Sequence, residues 1–179
     1  MKKALLLLAE LRDEDVDWLV RAGTRRDLAA GGALLQQGSP VDALFVLLEG
    51  QLVEEIAGGR PTAQLGPGEV VGARAFLDAR PADASVRALV DAVLLELPAR
   101  RLLARARTDG SFAGRFYRGL GVFLADRLRE TERQLQSVRS GEAVAAEAGD
   151  GELNPELLDR LERAAARFQR LGQPLGGGG

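Results

Sequence analysis

Apolar and polar positions change rhythm twice along the chain. Near the start, Leu8, Leu11, Trp18 and Leu19 recur at helical spacing, which predicts an amphipathic helix or helix pair broken near Arg12-Asp13. From Thr24 to Leu97 the runs become short and β-prone, and glycine turns separate them. Ala33 to Gln36, Ala43 to Leu48, Gln51 to Ile56, Thr62 to Leu65, Ser85 to Val90 and Ala92 to Leu97 read as strands. Strands at this spacing predict an all-β sandwich or barrel. A parallel α/β sheet is disfavoured, because no helix of crossover length separates them.

Pro98 returns the chain to helical spacing. Arg101 to Arg107 predicts a short helix, stopped by Thr108-Asp109-Gly110, with Asp109 or Ser111 available to cap the next. That next helix is long, about Phe112 to Val138. Its apolar positions Phe116, Leu120, Leu124, Leu128, Thr131, Leu135 and Val138 fall three or four apart, and the later ones approach a heptad seam. Gly114, Gly119 and Gly121 lie near its start, where they permit close packing or a kink. Residues 140–152 read as a linker. Asn154-Pro155-Glu156 then starts a helix with the stripe Leu157, Leu161, Ala164, Phe168 and Leu171, stopped by Gly172. The domain reading is 1–23 helical lead, 24–110 β domain, 111–139 long helix, 140–152 linker, 153–172 terminal helix and 173–179 disordered tail.

Composition narrows the chemistry. The 179 residues include no cysteine and no histidine, which removes disulfides, thiolate chemistry and imidazole bases or ligands. No metal-ligating pattern stands out, and no serine has a partner base. The chain is therefore expected to be non-enzymatic. Carboxylate groups such as Glu54-Glu55 and Asp13-Glu14-Asp15 are expected to be merely solvated. Net charge is −2, which argues against a phosphate-backbone binder. No stretch approaches the roughly 20 apolar residues of a membrane span, and the start reads as a helix and not as a leader. A cytoplasmic location is expected.

Three stretches carry a resemblance. They are Gly32 to Gly50, with its Gly38-Ser39-Pro40 turn; Leu65-Gly66-Pro67-Gly68-Glu69-Val70-Val71-Gly72; and Pro81-Ala82-Asp83-Ala84-Ser85-Val86-Arg87-Ala88. In this order they resemble the cyclic nucleotide-binding domain of the catabolite activator protein, kinase regulatory subunits and gated channels. The resemblance implies an antiparallel β-roll or jelly-roll sandwich with an N-terminal helical lead and a C-terminal helical extension. It also implies a ligand pocket between Gly72 and Ser85, the phosphate-binding cassette, and a cyclic nucleotide as the only cofactor to consider.

In that family a glutamate just after the glycine holds the ribose hydroxyl, and an arginine just after the proline neutralises the phosphate. Those positions are Ala73 and Ala82 here, and Asp83 adds a negative charge beside the second. Each hydrogen bond to a charged group is worth ~1.5–3 kcal/mol, so losing both implies roughly three orders of magnitude in affinity. Tight binding of cAMP or cGMP is not expected. The pocket positions are Gly72, Ala73, Arg74, Ala82, Asp83, Ala84 and Ser85. Arg80 and Arg87 are either compensating cations or solvated surface arginines.

The resemblance makes the long helix a homodimer element, with Leu124, Leu128, Thr131, Leu135 and Val138 as its seam. Residues past Ser140 are more acidic than basic and offer no recognition helix, so no DNA binding is expected. The terminal helix either folds back or docks on an unidentified partner protein. The expectation is a regulatory or interaction module of this family, with a small-ligand sensor as the alternative.

Overall fold

The computed structural model describes residues 4–56, 60–140 and 155–172. The chain opens with α1 (Ala4–Glu10) and α2 (Asp13–Ala22). The break between them is fixed by Asp15, whose Oδ2 accepts the Arg12 backbone N–H at 2.9 Å. Eight strands follow: β1 (Thr24–Leu28), β2 (Ala33–Leu35), β3 (Ala43–Glu49), β4 (Leu52–Ile56), β5 (Arg60–Leu65), β6 (Val70–Val71), β7 (Ser85–Ala88) and β8 (Ala92–Pro98). A short helix, α3 (Ala73–Asp78), interrupts them after β6. The strands form two four-stranded antiparallel sheets, ordered β1-β8-β3-β6 and β2-β7-β4-β5. This is the antiparallel β-roll with flanking helices.

The unbroken apolar run of β3 has a simple cause. Ala43, Phe45 and Leu47 point between the sheets, while Leu44, Val46 and Leu48 point at the helices. Both faces of this strand are covered, so both parities must be apolar. β1 and β6 are strands that the hydrophobic pattern does not mark. β1, Thr-Arg-Arg-Asp-Leu, is a polar edge strand paired only with β8, and β6 is two residues long.

The C-terminal part holds α4 (Ala99–Thr108), α5 (Gly110–Ser140) and α6 (Pro155–Leu171). Asp109 caps α5, its Oδ1 accepting the Phe112 N–H at 2.8 Å. Of the three glycines near the start of α5, Gly119 alone is a contact point. A Cβ there would sit 2.7 Å from Leu7 Cδ1 and 2.9 Å from the Leu7 carbonyl oxygen, whereas Gly114 and Gly121 face open space. The backbones of α1 and α5 meet at this point. The terminal helix folds back on its own chain: Ala164, Phe168 and Leu171 join Leu7, Leu8 and Leu11 in one core. Arg167 donates to the Leu8 carbonyl at 2.9 Å and to Asp13 at 2.7 Å, and Arg170 pairs with Asp17. The Asn154 cap, the linker from 141, the tail from 173 and the side chains of Val138, Leu157 and Leu161 lie outside the described residues.

Asp15 corrects an expectation. It is fully buried, not solvated. Arg115 Nε reaches it at 2.7 Å and Arg105 at 3.3 Å, and the Arg105 guanidinium lies over Trp18 and Phe112, 4.8 and 4.5 Å from the ring centres. Burial alone would raise the Asp15 pKa. The hydrogen bonds from Arg115 and Arg12 and the charges of Arg115 and Arg105 outweigh it and hold the carboxyl below its ordinary value. Among the described residues no helix is long and apolar enough to cross a membrane.

Candidate functional site

The β6–α3 junction sets the site. Gly72 has φ +88°, and a Cβ on it would lie 2.9 Å from the Ala43 carbonyl oxygen, so glycine is required on two counts. The chain then turns into α3 and returns through a loop tied to the β2–β3 turn. Ala82 N–H donates to the Ser39 carbonyl at 2.9 Å, and Gly38 N–H donates to the Ala82 carbonyl at 2.8 Å. α5 closes the far side. Phe76 of α3 meets Phe116 and Tyr117 of α5, with ring centres 5.9 and 6.5 Å apart.

Between these elements lies a cavity of about 50 Å³. Ordinary ligand pockets run to roughly 300–1,000 Å³. Gly72, Ala73, Arg74, Ala82, Asp83 and Ala84 all line it, so all the expected pocket positions but Ser85 come together in space. Ala73 and Ala82 are buried and present only methyl groups. Ser85 is not on the wall. Its hydroxyl accepts the Gln37 backbone N–H at 3.0 Å and ties the start of β7 to the β2–β3 turn.

The two candidate compensating arginines lie elsewhere. Arg80 is 79% exposed, pairs with Asp78 at 3.8 Å and is absent from the wall. Arg87 sits between Val86 and Ala88, which point into the sandwich, so strand alternation sends it to the outer face. There it binds Glu55 through contacts of 2.8 and 3.1 Å, and that pairing raises its pKa further.

Other charges occupy the cavity. Glu54 is a second correction: it is buried, although it was expected to be solvated. Its Oε1 accepts from Arg74 at 3.1 Å, and its Oε2 pairs with Arg127 of α5. Arg74 also reaches Asp83 at 3.4 Å. Phe123 and Leu124 of α5 complete the wall. Leu124, expected in a dimer seam, is therefore half-buried against its own β domain. Beyond it Leu128, Thr131 and Leu135 are exposed, the two leucines at 60%.

The sequence read Glu54 and Glu55 alike, yet neighbouring strand residues face opposite ways. Leu52 points into the sandwich, so Glu54 must as well. That parity was the available signal. Arg127 carried none, because nothing in the helical pattern says which arginine of α5 reaches a distant strand.

Comparison with known proteins agrees with this geometry. The profile of the cyclic nucleotide-binding domain matches residues 25–109. The Cyclic AMP receptor protein of Thermus thermophilus is 34% identical over 137 residues, covering 74% of this chain and 62% of that protein. Glutaminase 2 of Bradyrhizobium diazoefficiens is 34% identical over 122 residues, which is 68% of this chain and 19% of the relative. The chain thus spans under two thirds of both curated relatives. Among solved structures, the N-terminal domain of a transcriptional regulator from Streptomyces coelicolor A3(2) superposes with a TM-score of 0.58 at 30% identity, covering 75% of this chain and 95% of that one. With two antiparallel sheets, a glycine-led helix over a cavity and a long helix closing it, the chain belongs to the cyclic nucleotide-binding domain family.

Proposed function

We propose that this chain is a non-catalytic, cytoplasmic regulatory module that dimerises and does not bind cAMP or cGMP tightly. The observation that carries the reading is the wall itself. Ala73 and Ala82 present methyl groups where the family resemblance calls for a carboxylate and a guanidinium, and the cavity between them is about 50 Å³. A methyl group neither hydrogen-bonds a ribose nor neutralises a phosphate.

The output surface is α5. It touches α3 through Phe76, and it continues past the β domain with Leu128 and Leu135 exposed. A second copy presenting the same stripe would cover them in a parallel seam. A displacement of the cassette helix would be felt along α5 through the aromatic contacts. The absence of histidine and cysteine supports a role without catalysis. Similarity to a Cyclic AMP receptor protein supports a regulatory one.

A second reading, a ligand sensor, draws on Arg74 and Arg127, which do face the cavity. Thermal unfolding with and without millimolar cAMP and cGMP separates the two. A ligand that binds only the folded chain must raise the midpoint. No shift is expected. A rise of several degrees would make the chain a nucleotide sensor.

A further inference from the structure

We propose that Glu54 is the cavity's built-in anion, an internal carboxylate that occupies the seat an anionic phosphate ligand would take and ties α5 to the cassette. The inference rests on the regulatory reading above and adds its mechanism.

Three observations support it. First, the middle of β4 places Glu54 on the inward face, opposite Val86, and its side chain keeps only 12% of its exposure. Second, its two oxygens are held by two different guanidiniums, Oε1 by Arg74 and Oε2 by Arg127. A carboxylate bridging two arginines resembles in charge and shape the anion that paired arginines recognise. Third, the arginines come from separate elements: Arg74 from α3 and Arg127 from α5. Glu54 therefore joins strand, cassette helix and output helix at one point.

Charge balance explains the consequence. Arg74 and Arg127 face Glu54 and Asp83, so the cavity carries two positive and two negative groups. An incoming phosphate meets no net positive field. It would have to expel Glu54, leaving a buried carboxylate without its cations. Remove that one negative charge and the same two arginines become an anion seat. Expelling Glu54 would also release Arg127 and with it the hold on α5.

The test uses the full chain with Glu54→Gln, which keeps the shape and removes the charge. Thermal unfolding is followed with inorganic phosphate and with cAMP, each at about 10 mM. Wild type should not respond, whereas E54Q should gain about 3 °C or more with inorganic phosphate, the anion small enough for the seat. Adding Arg127→Met to E54Q should abolish the gain. A folded E54Q that gains nothing overturns the inference and leaves the regulatory reading standing. A wild-type response to phosphate equal to that of E54Q also overturns it. A wild-type response to cAMP overturns the regulatory reading instead. Should E54Q fail to fold, hydrogen exchange of the Arg127→Met single variant decides. Amides of α5 beyond Phe123 should exchange at least about tenfold faster, and unchanged protection would refute the tether.

Discussion

Asp15 has no solvent exposure yet keeps its charge, because the Arg12 backbone N–H, Arg105 and Arg115 all donate to it. A buried carboxylate shared by two arginines is a site where removing one partner strands the others. Asp15→Ala should therefore cost about 3–5 kcal/mol, measured by urea unfolding. A cost below about 1 kcal/mol would mean that both guanidiniums turn freely to water. Side-chain burial was the least legible feature of the sequence. Asp13, Glu14 and Asp15 look alike as an acidic first turn; the local cap on the Arg12 N–H marks Asp15, but its burial comes from the α4 and α5 arginines, 90 and 100 residues away. Glu54 was legible in principle through strand parity. Ala73 and Ala82 were legible directly, since a missing functional group is a statement about composition at a position.

At the level of elements, α5 divides into two parts. Up to Phe123 its apolar residues Phe112, Phe116, Leu120 and Phe123 are fully buried. Beyond Leu124 the described positions of its stripe, Leu128, Thr131 and Leu135, face solvent. A 3–4 spacing shows that a helix has an apolar face, but not what covers that face. For that reason Leu124 read as part of the seam although it lines the cavity. The expected dimer is tested at Leu128. Leu128→Ala removes one side chain from each protomer's seam, at about 1.5–3 kcal/mol apiece, so the dissociation constant should rise by roughly two to four orders of magnitude. Sedimentation equilibrium measures it. A chain that sediments as a monomer before any substitution would remove the seam from the reading. The terminal helix shows the same limit. Its apolar stripe was plain, but its target, α1 and α2 of the same chain, was one of two alternatives until Phe168 and Leu171 were seen in the core.

Across the whole molecule, the β-roll and the helical flank are held by different forces. Apart from Glu54, the sandwich interior is apolar, built from residues such as Phe45, Leu47, Leu52 and Leu94. The flank adds ion pairs to its apolar core: Asp15 to Arg105 and Arg115, and Asp13 to Arg167. Hydrogen bonding and charge from Arg167 also hold the Asp13 pKa below its ordinary 3.8, as the arginines do for Asp15 against its burial. A carboxyl lowered on folding stabilises the fold above its unfolded value and loses that contribution as pH falls through the folded value. Acid should thus loosen the flank first. Trp18, the single tryptophan, lies against Arg105 and Phe112 and reports on it. Its fluorescence should change at a pH below 3.8 where the far-ultraviolet strand signal is still intact. Coincident loss of both would mean a single cooperative unit.

The close approach at Gly119 has a mechanical side. Leu7 presses on α5 where no side chain separates the two backbones, and the helix continues from there to Ser140. At about 1.5 Å per residue this is a rod of roughly 30 Å, for which the Gly119 contact would be the pivot of any tilt. A rotation of about 5° at the pivot sweeps the far tip through nearly 3 Å, about half a helical turn. Arg127 grips the rod eight residues from the fulcrum, so a small slackening of that grip is geometrically magnified at the tip.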